Sequence, residues 1–139
     1  MKQIEIKAAI ENLIDTFLYA GKVSIELRKK GLIKEIKEDN TPVSNGDLEV
    51  NRILTEKINN LTPQIPIVSE ETSHNKSKKD LKNFWLIDPI DGTYDYINDL
   101  DEFTLNAGLI INNRAVAGII YAPAKNRLFY SYEKGCSFE

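Results

Sequence analysis

The chain has 139 residues, 42% of them hydrophobic and 28% charged; that length buries roughly 70% of the unfolded surface around one core, and no run of about 18 apolar residues offers a membrane-spanning helix. Eighteen Lys and Arg against 21 Asp and Glu give a net charge of −3, so no global positive field draws a nucleic acid polymer or an anionic membrane, and an anionic ligand has to be met locally. The single cysteine, Cys136, cannot form an internal disulfide and the start Met1-Lys2-Gln3-Ile4 lacks the basic-then-apolar run of a signal peptide, which together point to a reducing cytoplasm.

Apolar residues at Ile6, Ile10, Leu13, Ile14, Phe17, Leu18 and Ile25 follow helical spacing, so residues 4–30 are predicted as one amphipathic helix that stops at Gly31. Gly21 inside it costs about 1 kcal/mol relative to alanine, which suggests a close approach by another element there. Residues 37–47 read as a loop or distorted turn from their Pro, Gly and Asn content. Val50, Ile53, Leu54, Ile58 and Leu61 then repeat the helical period from about Asp47, with Asn45 or Asp47 as the cap and Pro63 as the stop. Ile65 to Val68 and Phe84 to Ile87 are short apolar runs compatible with buried strands, separated by a polar stretch long enough to be mobile. Phe103 to Ile111 alternates, Asn112-Asn113 supplies a turn, and Ala115 to Tyr121 completes a hairpin, with Leu128 to Tyr132 as a further strand. The predicted fold is α+β and layered: two N-terminal helices packed on a mainly antiparallel sheet.

The chemistry concentrates in acidic residues at the ends of the two short apolar runs, Glu70-Glu71 and Asp88-Pro89-Ile90-Asp91-Gly92-Thr93. Several carboxylates in a small volume repel one another unless a hard cation neutralises them, and carboxylate plus backbone oxygen is the donor set of magnesium. One histidine argues against zinc and leaves little scope for a serine nucleophile with a histidine base. Pro89 lets Asp88 and Asp91 face one point, with the Ile90 carbonyl as a further oxygen donor. If Thr93 opens a helical turn, the amides after Gly92 make an N-terminus suited to phosphate. Cations beside a phosphate cradle describe a phosphomonoester hydrolase, one ion lowering the pKa of a bound water and another steadying the leaving alkoxide. Blander roles fall to the rest: Asp47 as an N-cap, His74 exposed, Lys76, Lys78, Lys79 and Lys82 as a solvated run, Phe84 and Trp85 as core, Cys136 as an inert thiol.

Asp88-Pro89-Ile90-Asp91-Gly92-Thr93, preceded by Ser69-Glu70-Glu71 and by Lys37 to Asp47, resembles the inositol monophosphatase-like, magnesium-dependent, lithium-sensitive phosphatases along almost the whole chain. Glu102 to Asn106 and Tyr121-Ala122-Pro123 are similar to the 3'(2'),5'-bisphosphate nucleotidase branch, which removes the 3'-phosphate of adenosine 3',5'-bisphosphate; inositol or sugar monophosphates are the alternative substrates. The resemblance implies two or three magnesium ions, with Glu70, Asp88 and the Ile90 carbonyl on one and Asp88 with Asp91 on a second. It implies that Asp47 and Thr93 orient and activate the attacking water, Glu70 contributing through the metal, that the Gly92 and Thr93 amides hold the phosphate, and that Glu71 orients its neighbours by hydrogen bonds. Gly46 stands where the family more often has alanine, a change expected to loosen the backbone before Asp47. Residues 1–139 are expected to form the N-terminal metal-binding domain of such a phosphatase, with a second domain carrying a further aspartate and much of the substrate pocket absent from this chain. A non-catalytic metal- and phosphate-binding half, completed by a separate polypeptide or self-associated as a homodimer, is the alternative from another class.

Overall fold

The structure is a computed structural model that describes residues 1–71 and 81–139. The periodic apolar stripe near the N-terminus forms α1 (Gln3–Lys30), which buries Ile6, Ile10, Leu13 and Phe17, carries Arg28, Lys29 and Lys30 in its last turn, and ends at Gly31 with φ 94°. The close approach expected at Gly21 is present: a Cβ there would overlap the Tyr121 ring and come within 3.0 Å of Pro123 Cγ. α2 (Asn45–Leu61) lies against α1 and buries Val50, Leu54 and Ile58.

Between the helices the chain is more regular than its turn-rich composition suggests. β1 (Lys34–Ile36) and β2 (Pro42–Ser44) pair antiparallel, and the turn between them is closed by Lys37 N–H donating to Thr41 O at 2.8 Å. Asn40 sits at the tip of this hairpin and Pro42 on its edge, where they take no ladder bond away, while Asn45 opens α2.

The main sheet has the order β3-β4-β5-β6-β7-β8. β3 (Ile67–Ser69) runs parallel to β4 (Phe84–Asp91); the remaining neighbours, β5 (Thr104–Ile111), β6 (Arg114–Ala122), β7 (Arg127–Glu133) and β8 (Cys136–Phe138), pair antiparallel. One face, with Trp85, Ile87, Leu105, Leu109 and Ile119, is buried in the core shared with the two helices, while Leu86, Ile120 and Phe129 on the other face are exposed. Trp85 and Phe84 are core, as expected, and the indole N–H donates to Thr62 Oγ1 at 3.0 Å. Asn112 and Asn113 both take positive φ, 51° and 64°, the type I′ geometry that matches the twist of a two-residue hairpin.

Two strand expectations change. β4 does not end at Ile87 but runs through the acidic motif to Asp91, with one extra residue relative to β5 between the Asp88–Asn106 and Asp91–Thr104 pairs. Pro89, which has no N–H to give the ladder, sits in that bulge. β8 has no sequence signal, since three residues are too few for an alternation to show. Among the described residues no helix is long and apolar enough to cross a membrane. His74, Lys76, Lys78 and Lys79 lie outside the described residues; Lys82 is exposed.

Candidate functional site

Parallel pairing of β3 with β4 puts the C-terminal ends of both strands at one edge of the sheet, and this is why the two acidic motifs meet. Ser69 is in register with Ile87, and Glu70 N–H donates to Ile87 O at 3.2 Å, which sets Glu70 beside Asp88. Asp88 Oδ1 is buried and has no hydrogen-bond partner. Burial, a hydrogen bond shared with Glu70, and the negative charges of Glu70, Asp91 and Glu71 push the Asp88 carboxyl up to about 7. A carboxyl in that condition wants a cation.

Lys37, at the tip of the β1–β2 hairpin, reaches the same acids, with Nζ 3.6 Å from Glu71 Oε2 and 3.9 Å from Glu70 Oε1. Burial raises the Glu71 carboxyl above the usual range and Lys37 opposes that rise. The Glu71 side chain is 5% exposed against 54% for Glu70, so Glu71 is walled in behind Lys37 while Glu70 stands open to solvent. Among the described residues no three His, Cys, Asp or Glu side chains are gathered closely enough to hold a metal ion as they stand. The donor chemistry nonetheless fits a hard cation: an orphaned buried carboxylate oxygen, a second carboxylate beside it, and the Ile90 carbonyl two residues on.

The second part of the site is built at the start of α2. Ser44 is the N-cap, not Asn45 or Asp47; it and Asp47 form a capping box. Asp47 is fully buried, and its Oδ2 accepts from Ser44 N–H at 2.9 Å and from Ser44 Oγ at 2.6 Å. Its other oxygen, Oδ1, accepts from Thr93 Oγ1 at 2.9 Å, and Thr93 Oγ1 also lies 3.2 Å from Ile90 O. Asp47 therefore caps its own helix with one oxygen and orients Thr93 with the other. Asn45 instead ties the hairpin down, accepting from Ile33 N–H through Oδ1 at 2.9 Å.

Gly92 occupies the left-handed region, φ 87°, and is the N-cap of α3 (Thr93–Ile97); a Cβ would stand 2.6 Å from Glu102 O. Only glycine fits this turn, which hands the chain from the acidic bulge to Thr93. Asn106 supports the bulge from β5, its Nδ2 donating to Thr104 O at 3.1 Å and to Asp88 O at 3.4 Å.

The expected residues thus fall into two groups: Glu70 with Asp88, close to Asp91 and Glu71, and Asp47 with Thr93 and the Ile90 carbonyl, joined through the bulge and Gly92. Lys37, Ser44 and the packing of Tyr96 on Gly46 carry no role in the sequence reading. Ser44-x-x-Asp47 is a recognisable capping-box spacing; the other two are long-range contacts without a local signal. At Gly46 the Tyr96 ring fills the space a Cβ would take.

Residues 6–139 match the inositol monophosphatase family. The chain belongs to that family. As a member of the inositol monophosphatase family it is similar to the 3'(2'),5'-bisphosphate nucleotidase CysQ of Haemophilus influenzae, 40% identical over 114 residues, 81% of this chain and 42% of that protein. A solved IMPase of Thermotoga maritima is 25% identical with a TM-score of 0.81, covering 93% of this chain and 50% of that one. An IMPase/NADP phosphatase complexed with NADP and Ca2+ shares the fold, with a TM-score of 0.82 at 16% identity, over 99% of this chain and 52% of that one. The chain spans less than half the length of the curated relative it matches.

Proposed function

We propose that this chain supplies the cation-binding and water-orienting half of a magnesium-dependent phosphomonoesterase that removes the 3'-phosphate of adenosine 3',5'-bisphosphate. The observation that carries the reading is the buried, unpartnered Asp88 Oδ1 beside Glu70 at the shared end of two parallel strands. The nucleotidase name carried by relatives at up to 40% identity favours the nucleotide over inositol or sugar phosphates. The calcium in the structural neighbour favours a divalent cation.

In this reading Glu70, Asp88, Asp91 and the Ile90 carbonyl hold magnesium, in two or three ions. Bound there, magnesium supplies positive charge that lowers the pKa of a coordinated water and offsets charge building on the phosphate and leaving oxygen. The remaining work belongs to the chain. Asp47, satisfied by Ser44 on one oxygen, accepts the Thr93 hydroxyl proton on the other. That leaves the lone pairs of Thr93 Oγ1 to accept from a water, aligning it for attack, with Asp47 as the base behind it. Gly92 and Thr93 amides at the start of α3 hold phosphate oxygens, and Glu71, restrained by Lys37, steadies Glu70 and Asp88. The setting is the cytoplasm, and lithium inhibits.

Phosphate release from adenosine 3',5'-bisphosphate, inositol 1-phosphate and a sugar phosphate, each with magnesium and with chelator, tests the reading. Magnesium-dependent release from the nucleotide is expected to dominate. Preference for inositol phosphate overturns the substrate; release untouched by chelator overturns the cation. Because relatives are about twice as long, a second reading is a metal- and phosphate-binding half completed by another polypeptide or by a second copy. It predicts cation binding without turnover until the complementing half is added.

A further inference from the structure

We propose that Tyr96 is a positioning residue: seated in the notch left by Gly46, it locks α3 against α1 and α2 and so sets the Thr93–Asp47 contact. The proposal deepens the phosphatase reading and rests on it for what Asp47 and Thr93 do. Tyr96 is fully buried and lies one turn after Thr93 on α3. Its hydroxyl donates to Ser24 O of α1 at 2.7 Å, and its ring packs on Phe103 with centroids 4.9 Å apart. The Arg28 guanidinium lies 5.7 Å from the Tyr96 ring centroid and 5.0 Å from that of Phe103, while its Nη1 donates to Leu100 O at 2.6 Å, so the loop after α3 is clamped to the same place.

The remaining side of the tyrosine meets α2. A Cβ on Gly46 would overlap the Tyr96 hydroxyl and stand 2.7 Å from both Cε2 and Cζ of the ring. Gly46 immediately precedes Asp47, and Thr93 is three residues before Tyr96. One rigid ring therefore bridges the two segments, α3 and the start of α2, whose neighbouring residues make the 2.9 Å hydrogen bond between Thr93 Oγ1 and Asp47 Oδ1. A buried aromatic ring fixed by a hydroxyl anchor and by ring contacts has no cheap way to retreat, so changing the notch moves α2 against α3. The sign is diagnostic: helix propensity alone makes Gly46→Ala stabilising, whereas the occupied notch makes it destabilising.

The test compares the wild-type protein with Gly46→Ala, Tyr96→Phe and the double variant by thermal melting and crystal structure. Gly46→Ala is expected to lower Tm by several degrees and lengthen the Thr93 Oγ1–Asp47 Oδ1 separation beyond hydrogen-bonding range. Tyr96→Phe is expected to lengthen it less. In the double variant the ring, released from Ser24, can withdraw from the new methyl, and both Tm and the separation are expected to recover in part. A rise in Tm for Gly46→Ala, or a fall that leaves the separation unchanged, overturns the proposal; so does a double variant no better than Gly46→Ala. If Gly46→Ala does not fold, an unchanged separation in Tyr96→Phe overturns it and a lengthened one supports it. In an active protein kcat is expected to fall with KM nearly constant. A wild-type protein that hydrolyses no phosphomonoester defeats the phosphatase reading and leaves the thermal and structural arms to decide the lock.

Discussion

A buried carboxylate oxygen with no donor in reach costs stability unless a positive charge meets it, and Asp88 Oδ1 is in that position while three further acids act on the same carboxyl. Binding capacity and fold stability therefore oppose each other at this residue. Asp88→Asn keeps the shape and removes the charge. In chelator, the variant is expected to be more stable than wild type, within the roughly 0.5–3 kcal/mol range of single substitutions, as read by urea unfolding. Magnesium affinity measured by calorimetry is expected to fall at least tenfold. Equal magnesium affinity in the two proteins would remove Asp88 from the cation site; a less stable variant would mean that the carboxylate is satisfied in the cation-free protein. Asp47 is the contrasting case, with three donors on its two oxygens: the same residue type is destabilising in one place and structural in the other because of its partners alone.

At the level of elements, the α2 N-terminus does double duty, since the capping box that starts the helix also fixes Asp47. Ser44→Ala removes the acceptor for Asp47 N–H and one of the donors to Asp47 Oδ2. It is expected to cost about 1 kcal/mol, and Ser44→Thr, which keeps the hydroxyl, much less; chemical unfolding of both variants checks the difference. Gly21 on α1 makes a parallel prediction for the helix–sheet contact. Propensity favours alanine there by about 1 kcal/mol, but the methyl would run into the Tyr121 ring and Pro123. Gly21→Ala is expected to lower Tm; a raised Tm would show that the β6 end yields easily. These elements also show what a sequence reveals. The periods of α1 and α2, the Asn112-Asn113 turn and the order of the acidic motifs are local signals, and each appears where its pattern puts it. The parallel partnership of β3 and β4 is not local, because the paired segments are separated by residues 70–83. The acids could be named from the sequence, but their meeting at one sheet edge depends on that pairing. Lys37 approaches them through the fold of a hairpin whose turn residues read simply as loop, and Tyr96 reaches Gly46 across 50 positions.

For the molecule as a whole, the displaced carboxyls set how stability responds to pH and to cations. Asp88 titrates at about 7 in the fold and near 3.9 in an unfolded chain, so between those values the folded state holds a proton that the unfolded state has lost. Stability is then highest below about pH 4 as far as this group is concerned, and declines as pH rises toward 7. Glu71, raised by burial, acts in the same sense. Asp39, Glu49 and Glu139 are lowered, by hydrogen bonds from Thr41, Arg52 and Arg127; their contribution is lost only as pH falls through the acid range, outside this window. A divalent cation reverses the trend, because it binds the deprotonated acids and stabilises the fold by an amount that grows with free ligand. Thermal unfolding between pH 5 and 8 is the measurement. In EDTA, Tm is expected to fall across that range; with saturating magnesium it is expected to hold level or rise, so that the magnesium-induced gain is small at pH 5 and largest at pH 8. A flat curve in EDTA contradicts the displaced Asp88 carboxyl, and a gain from magnesium that is the same at both ends contradicts cation binding through it. Applied to Asp88→Asn, the same scan is expected to show a shallower fall in EDTA and a smaller magnesium gain at pH 8, tying the behaviour of the whole molecule to that one oxygen.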